Sequence, residues 1–387
     1  MRVVLVMPYS DSPLWGVQNV AYNLVQGFTK ICRELERKGI EITVLSNAGV
    51  TLKPQAKFFK CPKVRIAYYR QLPPITFWGD VQHLTLARKY FHTLLSSADI
   101  IHSHDDATFS LPIAKMFKDK LILHNLHGLP WNEKRYLNSK YQRFSYDTMT
   151  MRNKKLAEFK NVEFVAISHF VARDAQRTLE ISDERIHIVY DPVSEDFFRI
   201  KKREISGLIF YPARLIPRKN HLPLLEALDI LKEEGLSHFT LALTGVAEDK
   251  EYFGKILRLI EKYDLKNNVM FLGKIPKEKL FDYYSKASIV VLTSLHETFS
   301  LAVAEAMATR TPVVASPVGI VPEAISNGKN GFIINPTSPK DIAEKLRILL
   351  KDDRERRIMG KRARKTAEKW RSENIARDLI RLWEGIV

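Results

Sequence analysis

The chain has 387 residues, with 61 Lys and Arg against 44 Asp and Glu, a formal net charge of +17. Hydrophobic residues at 45% and charged residues at 27% exclude disordered and fibrous classes, and the length suits two domains with real cores. The surplus of positive charge implies an anionic partner: a phosphorylated small molecule, a membrane surface or nucleic acid.

The apolar run 3–7 stops at Pro8, too short for a signal peptide's core or for the roughly 20 residues of a membrane-spanning helix. It reads as a buried first strand. Further strands are expected at 41–45, 64–68, 100–102, 121–124 and 164–167. A long amphipathic pattern over 17–38 ends in a basic turn, with Gly39 as its C-cap. Cys32 and Cys61 are the only cysteines and stand in no partner pattern. Neither a disulfide framework nor a cysteine zinc site is expected, and a reducing cytosol is the default compartment. Gln is scarce beside Lys, Arg and Glu, a composition found in thermophiles.

The pattern restarts after a charged stretch at 199–204 that has no apolar face. Strands are expected at 207–212, 240–244, 269–272, 288–292 and 312–315, with helices at 222–234, 250–263, 277–286 and 299–308 between them. Strands alternating with helices predict an α/β protein of two doubly wound parallel-sheet domains, with ligands at the carboxyl ends of the strands in a cleft between them. The stretch from Asp341 onward is almost wholly helical. Its basic middle, 351–369, reads as a solvated helical face, with a membrane or nucleic-acid patch as the alternative.

One segment at 292–314 reads LTSLHETFSLAVAEAMATRTPVV. Its two carboxylates, Glu297 and Glu305, are eight positions apart, which in helical geometry is about 12 Å along the axis and within about 80° of one side. That span suits a sugar ring and a ribose joined by a diphosphate, with a helix N-terminus between them to hold phosphate over Phe299, Ser300 and Leu301. The alternative is a capping Glu297 and a solvent-facing Glu305. A second segment, GLIFYPARLIPRKN at 207–220, brings Arg214, Arg218 and Lys219 to the end of a strand, where they suit a diphosphate and the charge that builds as it leaves.

The blocks PARLIPRKNHLPLLEAL, HETFSLAVAEAMATRTPVVAS and VGIVPEAISNGKNGFIIN, in this order, resemble the donor-site signatures of glycosyltransferase family 4. In the first half, MPYSDSPLWGVQNVAYNLVQGF, IIHSHD, LHNLHG, VAISHF and IVYDPVSEDFF resemble that family too. The resemblance implies the GT-B fold, two Rossmann-like domains facing across a cleft: an acceptor-side domain over 1–198, a donor domain over 205–365, and a helix at 366–387 packing back on the first domain. It implies that Arg214 and Lys219 bind the donor diphosphate, Glu297 the transferred sugar and Glu305 the ribose. The backbone of Phe299, Ser300 and Leu301 would hold phosphate and sugar, with Gly16 beside the donor and His127, in H-G-L, as the active-site histidine. The implied reaction is retaining transfer of a hexosyl unit from a UDP- or GDP-sugar to an acceptor hydroxyl. Glycan, glycolipid or cell-envelope biosynthesis would be its setting, with no cofactor beyond the nucleotide sugar and no metal. The chain departs from the family's glycines at Asn220, Ser300 and Arg310, has Trp15 before its remaining first-loop Gly16, and carries Asp191 where Asn is common.

Histidines gather at His102, His104, His124 and His127. A metal site there is disfavoured, because no carboxylate arrangement of catalytic metal type accompanies them. The aromatic stretch 68–78 reads as a loop, either packed or touching the acceptor. Neither G-x-G-x-x-G nor a P-loop occurs. A nucleotide-sugar epimerase of the same fold and a basic nucleic-acid-binding protein are the competing readings, although no nucleic-acid motif is present. The donor cations claim little of the +17. The expectation is therefore a cytoplasmic protein in peripheral contact with the inner face of an anionic membrane, where a saccharide or lipid-linked acceptor would sit.

Overall fold

The computed structural model describes residues 1–11, 16–47, 56–69, 92–105 and 107–387. The expected loop at 68–78 and Trp15 lie mostly or wholly outside them. The chain forms two compact units, Met1–Pro192 with Arg371–Val387, and Val193–Trp370.

Among the described residues the first unit is built on an eight-stranded sheet in the order β3-β4-β2-β1-β5-β6-β7-β8. Its strands are β1 (Arg2–Val6), β2 (Glu41–Asn47), β3 (Ala56–Phe58), β4 (Val64–Tyr69), β5 (Ile100–Ser103), β6 (Leu121–Leu126), β7 (Val162–Ala166) and β8 (Ile186–Ile188). All neighbours pair in parallel except β3 with β4. β1 and β5 are buried along almost their whole length, as continuous apolar runs require in a sheet covered on both faces. The edge strands β3 and β8 were not expected. β8 is three half-buried residues whose pairing comes from β7 rather than from an apolar run of its own.

The expected helix over 17–38 is two helices, Gly16–Lys30 and Cys32–Lys38, broken at Ile31. Gly39 closes the second at φ 62°, the left-handed conformation that glycine adopts without strain. The C-terminal helix Ser372–Ile386 lies on the first: a Cβ on Gly27 would come within 2.2 Å of the Ser372 carbonyl oxygen. Trp383 is fully buried there, stacked on Phe28 at 5.6 Å.

The cysteines overturn the expectation of unpaired thiols. Cys32 and Cys61 form a disulfide across 29 positions, with their Cα atoms 5.5 Å apart. The parallel fold joins them, because the helix after β1 and the turn before β4 meet beside β2, a proximity with no local sequence signal. Closing such a loop contributes about 3–4 kcal/mol in the chain-entropy account. Cysteine content therefore no longer argues for a reducing compartment.

The second unit has a six-stranded, all-parallel sheet in the order β11-β10-β9-β12-β13-β14. Its strands are β9 (Leu208–Tyr211), β10 (Thr240–Thr244), β11 (Val269–Gly273), β12 (Ile289–Leu292), β13 (Val313–Ala315) and the two-residue β14 (Phe332–Ile333). The charged stretch at 199–204 belongs to this unit: Lys202 donates to the Tyr284 and Ala287 carbonyls and to Thr311, and Glu204 pairs with Arg356 at 3.0 Å.

The basic stretch 351–369 is not simply a solvated face. Its helix Asp353–Ala367 buries Arg356, Met359 and Ala363. Gly360 lets it press against the chain, since a Cβ there would lie 2.1 Å from the Arg310 carbonyl oxygen. Buried Arg356 is held by Glu204, Asp353 and the Leu349 carbonyl, the partners a buried charge requires. Among the described residues no helix is long and apolar enough to cross a membrane.

Candidate active site

In the second unit, β9 delivers the chain at Tyr211 into a loop that ends in a short 3₁₀ turn, Pro217–Lys219. The residues after β12 fasten that loop. Leu295 N–H donates to the Arg218 carbonyl at 2.9 Å, Thr293 Oγ1 donates to the Asn220 carbonyl at 2.8 Å, and Tyr211 Oη donates to the Lys219 carbonyl. Gly245 packs beneath at φ 96°, where a Cβ would sit 2.5 Å from the Ala213 carbonyl oxygen.

The fastened loop brings Lys219 and Arg218 to Glu297. Lys219 Nζ donates to Glu297 Oε1, and Arg218 Nη1 lies 3.7 Å from Oε2 while donating to the His296 carbonyl at 2.9 Å. All three side chains are largely buried. Burial pushes the Glu297 carboxyl up, but the adjacent cations outweigh it and hold it below the usual carboxylate range. Burial draws Lys219 down, and Glu297 pulls back. The result is a buried carboxylate flanked by two cations at the carboxyl ends of β9 and β12.

Arg214 is set apart. It pairs with Glu248 at 3.1 Å, both half-exposed, although its charge is still felt at Lys219.

The helix after Glu297 starts at Leu301, not at Phe299, and runs to Ala308. Residues 297–300 are therefore loop, and the helical spacing drawn between Glu297 and Glu305 does not describe the structure. Phe299 is buried, with its ring against Trp370 and its carbonyl accepting from Ile320 N–H at 2.9 Å. Ser300 sits at φ 79°, in the left-handed region, and its buried hydroxyl has no partner among the described residues. Glu305 is half-buried and accepts from Tyr284 Oη at 2.8 Å. Burial raises its carboxyl to about 7, outweighing the Tyr284 hydrogen bond and the charge of Lys277.

The first unit holds His127 at the end of β6. Its Nδ1 faces Asp191 Oδ1 at 3.4 Å, and its Nε2 lies 2.9 Å from both Asn125 Nδ2 and His104 Nδ1. His102 and His104 are buried, and that burial lowers His102 to about 3 and His104 well below the ordinary imidazole range. Asp105 is the exception to charge removal. Burial raises its carboxyl, but His124, Ser103 and Ser110 bring it well down.

A cavity of about 480 Å³ opens here. It is lined by Met7, Phe109, Leu126 and Met149 together with His104 and His127, and no described lining residue is Lys or Arg. Gly16 begins its helix with nothing within 4 Å of where a Cβ would be, so packing does not demand glycine there. Asp191 was visible in the sequence only as a replacement for Asn, and Glu248, Asn125 and Tyr284 gave no signal.

Two parallel-sheet, Rossmann-like units, one of them presenting a buried carboxylate between cations at its strand ends, define the GT-B class. Two family models match end to end, Glycosyltransferase Family 4 over residues 16–197 and Glycosyl transferases group 1 over 193–366. The chain belongs to glycosyltransferase family 4. It is 35% identical to a D-inositol 3-phosphate glycosyltransferase of Corynebacterium urealyticum over 128 residues, 33% of this chain and 30% of that protein. Among solved structures, sucrose-phosphate synthase from Thermosynechococcus elongatus superposes with a TM-score of 0.74 at 19% identity, covering 100% of this chain and 98% of that one. The HepE protein of Anabaena, solved in complex with UDP-glucose, gives 0.71 at 15% identity with 100% of both chains covered.

Proposed function

We propose that the chain transfers a glycosyl unit from a nucleotide diphosphate sugar to an acceptor hydroxyl, with retention of anomeric configuration. The observation that carries this reading is the buried Lys219–Glu297–Arg218 cluster beside the start of the Leu301–Ala308 helix. The two cations and the helix N–H groups neutralise the diphosphate as it leaves, work that a metal ion would otherwise do. Arg214 joins them by exchanging Glu248 for phosphate.

Glu297, kept ionised, accepts hydrogen bonds from sugar hydroxyls, and Glu305 does the same for the ribose. Phe299, Ser300 and Leu301 offer backbone N–H groups to phosphate and sugar, and in the first unit Gly16 leaves room for a ligand beside the backbone. In the first unit His127, which faces Asp191, is by family likeness the active-site histidine. Neither Glu297, tied to Lys219, nor Glu305 is placed as a carboxylate nucleophile, and by family likeness the departing phosphate oxygen takes the acceptor's proton. UDP- and GDP-hexoses are the donors of this reading, and its setting is glycan, glycolipid or envelope synthesis on the cytoplasmic side.

The test is to incubate the protein with UDP- and GDP-sugars and an acceptor panel, following release of the nucleoside diphosphate and the anomeric configuration of the product. Transfer that survives both Lys219→Ala and Glu297→Ala would remove the assignment, and epimerisation without transfer would replace it with a different activity.

A further inference from the structure

The helix Lys140–Ala157 has two unlike sides. Asn153 and Leu156 are buried, and Tyr146, Met149 and Asn153 line the cavity of the first unit. On the other side Tyr141, Phe144 and Met151 are 70%, 69% and 65% exposed. Spacings of three and seven place these three on one stripe of the helix. No other trio of large apolar side chains on a described helix is so exposed.

Basic groups border the stripe. Lys140, Arg143, Lys154 and Lys155 flank it, while the acidic Asp147 is neutralised by Lys134 at 2.6 Å and Glu158 pairs with Lys155. Residues 134–160 carry eight Lys and Arg against two Asp and Glu, a net +6. That segment holds about a third of the chain's whole surplus, more than the three cations at the donor site.

We propose that this helix docks the first unit on an anionic lipid surface, with Tyr141, Phe144 and Met151 entering the headgroup region and the surrounding cations meeting lipid phosphates. Aromatic and thioether side chains on a basic helix gain from both apolar burial and charge, a combination that a lipid surface rewards. Charge complementarity selects lipid over a second copy of this chain, whose own face is equally positive. The same helix lines an apolar cavity free of described cations. That cavity lies against the opposite side of the helix and takes no part in the docking.

The test is co-sedimentation of the full chain with vesicles of phosphatidylglycerol mixed into phosphatidylcholine, at low salt. Wild-type protein sediments with them. The variant Tyr141→Ser, Phe144→Ser, Met151→Ser loses binding about tenfold, as does Lys140→Gln, Lys154→Gln, Lys155→Gln or a rise to about 0.5 M salt. Both variants keep the wild-type melting temperature, and Lys361→Gln with Lys365→Gln leaves sedimentation unchanged. Absence of wild-type sedimentation, or sedimentation indifferent to both variants, overturns the proposal. So does wild-type self-association that the apolar variant abolishes, because the stripe is then a protein interface. A stabilising shift with UDP or GDP, read separately, reports the donor site. Its failure would remove the transferase reading while leaving the docking result to stand on its own.

Discussion

Around Glu297 the second unit gathers a carboxylate and two cations out of water and keeps them charged by mutual attraction. Around His104 the first unit gathers imidazoles out of water and burial takes their charge away, lowering His102 to about 3. One site holds paired charges; the other sets neutral imidazoles, with the ionised Asp105 nearby, beside a cavity whose described lining has no Lys or Arg. On the reading proposed above, the diphosphate of the donor calls for the cations of the second unit. The units should accordingly answer pH and mutation in opposite senses.

The largest effect expected is acid sensitivity of the first unit. A free imidazole titrates near 6.5, whereas folded His102 stays neutral down to about 3. The stability this group contributes is therefore fully present above pH 6.5 and declines as pH falls toward 3, by up to about 5 kcal/mol. Melting temperatures measured between pH 4 and 7 should fall with acid in wild type and fall less steeply in His102→Gln. An unchanged slope would mean that the imidazoles are not held neutral.

The next effect is on catalysis. Lys219→Ala removes a cation from the proposed diphosphate site and leaves Glu297 dependent on Arg218, so kcat/KM should drop about 10²–10³-fold. His104→Ala, which removes only a neutral partner of His127, should lower it about tenfold at most. Equal losses at the two positions would erase the distinction between the sites.

Glu305 gives the second unit the opposite pH response. Its folded carboxyl titrates at about 7 against 4.5 when free. The stability this group contributes is fully present below pH 4.5 and is lost as pH rises through 7, by up to about 3 kcal/mol. Glu305→Gln should flatten that alkaline decline in a denaturant titration across pH 5 to 8, and it should weaken nucleotide binding.

The unequal legibility of the two units has physical causes. β10 was readable to the residue because a continuous apolar run between polar flanks can be little else, whereas β3, β8 and β14 are two- or three-residue edges whose pairing is supplied by a neighbour. Lys219 and Glu297 were found through their chemistry and family likeness. Arg214's partner depended on where a long side chain turns, and the Cys32–Cys61 bond on a contact 29 residues apart. Asp191 stood out only as a substitution, and its partnership with His127 needed β6 and the chain after β8 to be placed in space.

Three departures from family glycines turn out to share a backbone cause, and they support the smallest prediction. Asn220, Ser300 and Arg310 have φ of 53°, 79° and 62°, so each holds the left-handed conformation that a glycine would occupy freely. For an ordinary side chain that conformation costs about 1–2 kcal/mol, and Asn bears it best. Arg310 is exposed, and its backbone is pinned by the close approach of Gly360. Arg310→Gly should therefore relieve strain at the expense of a more flexible unfolded chain, for a net gain of about 0.5–1 kcal/mol in a urea titration. Asn220→Gly should gain nothing, since Asn tolerates the conformation and its amide donates to the Pro336 carbonyl at 2.7 Å. Ser300→Gly should fall between them in stability but, unlike Arg310→Gly, should change donor KM, because it lies in the loop that joins Glu297 to its helix. A larger stability gain at Asn220 than at Arg310 would show that backbone strain does not govern these positions.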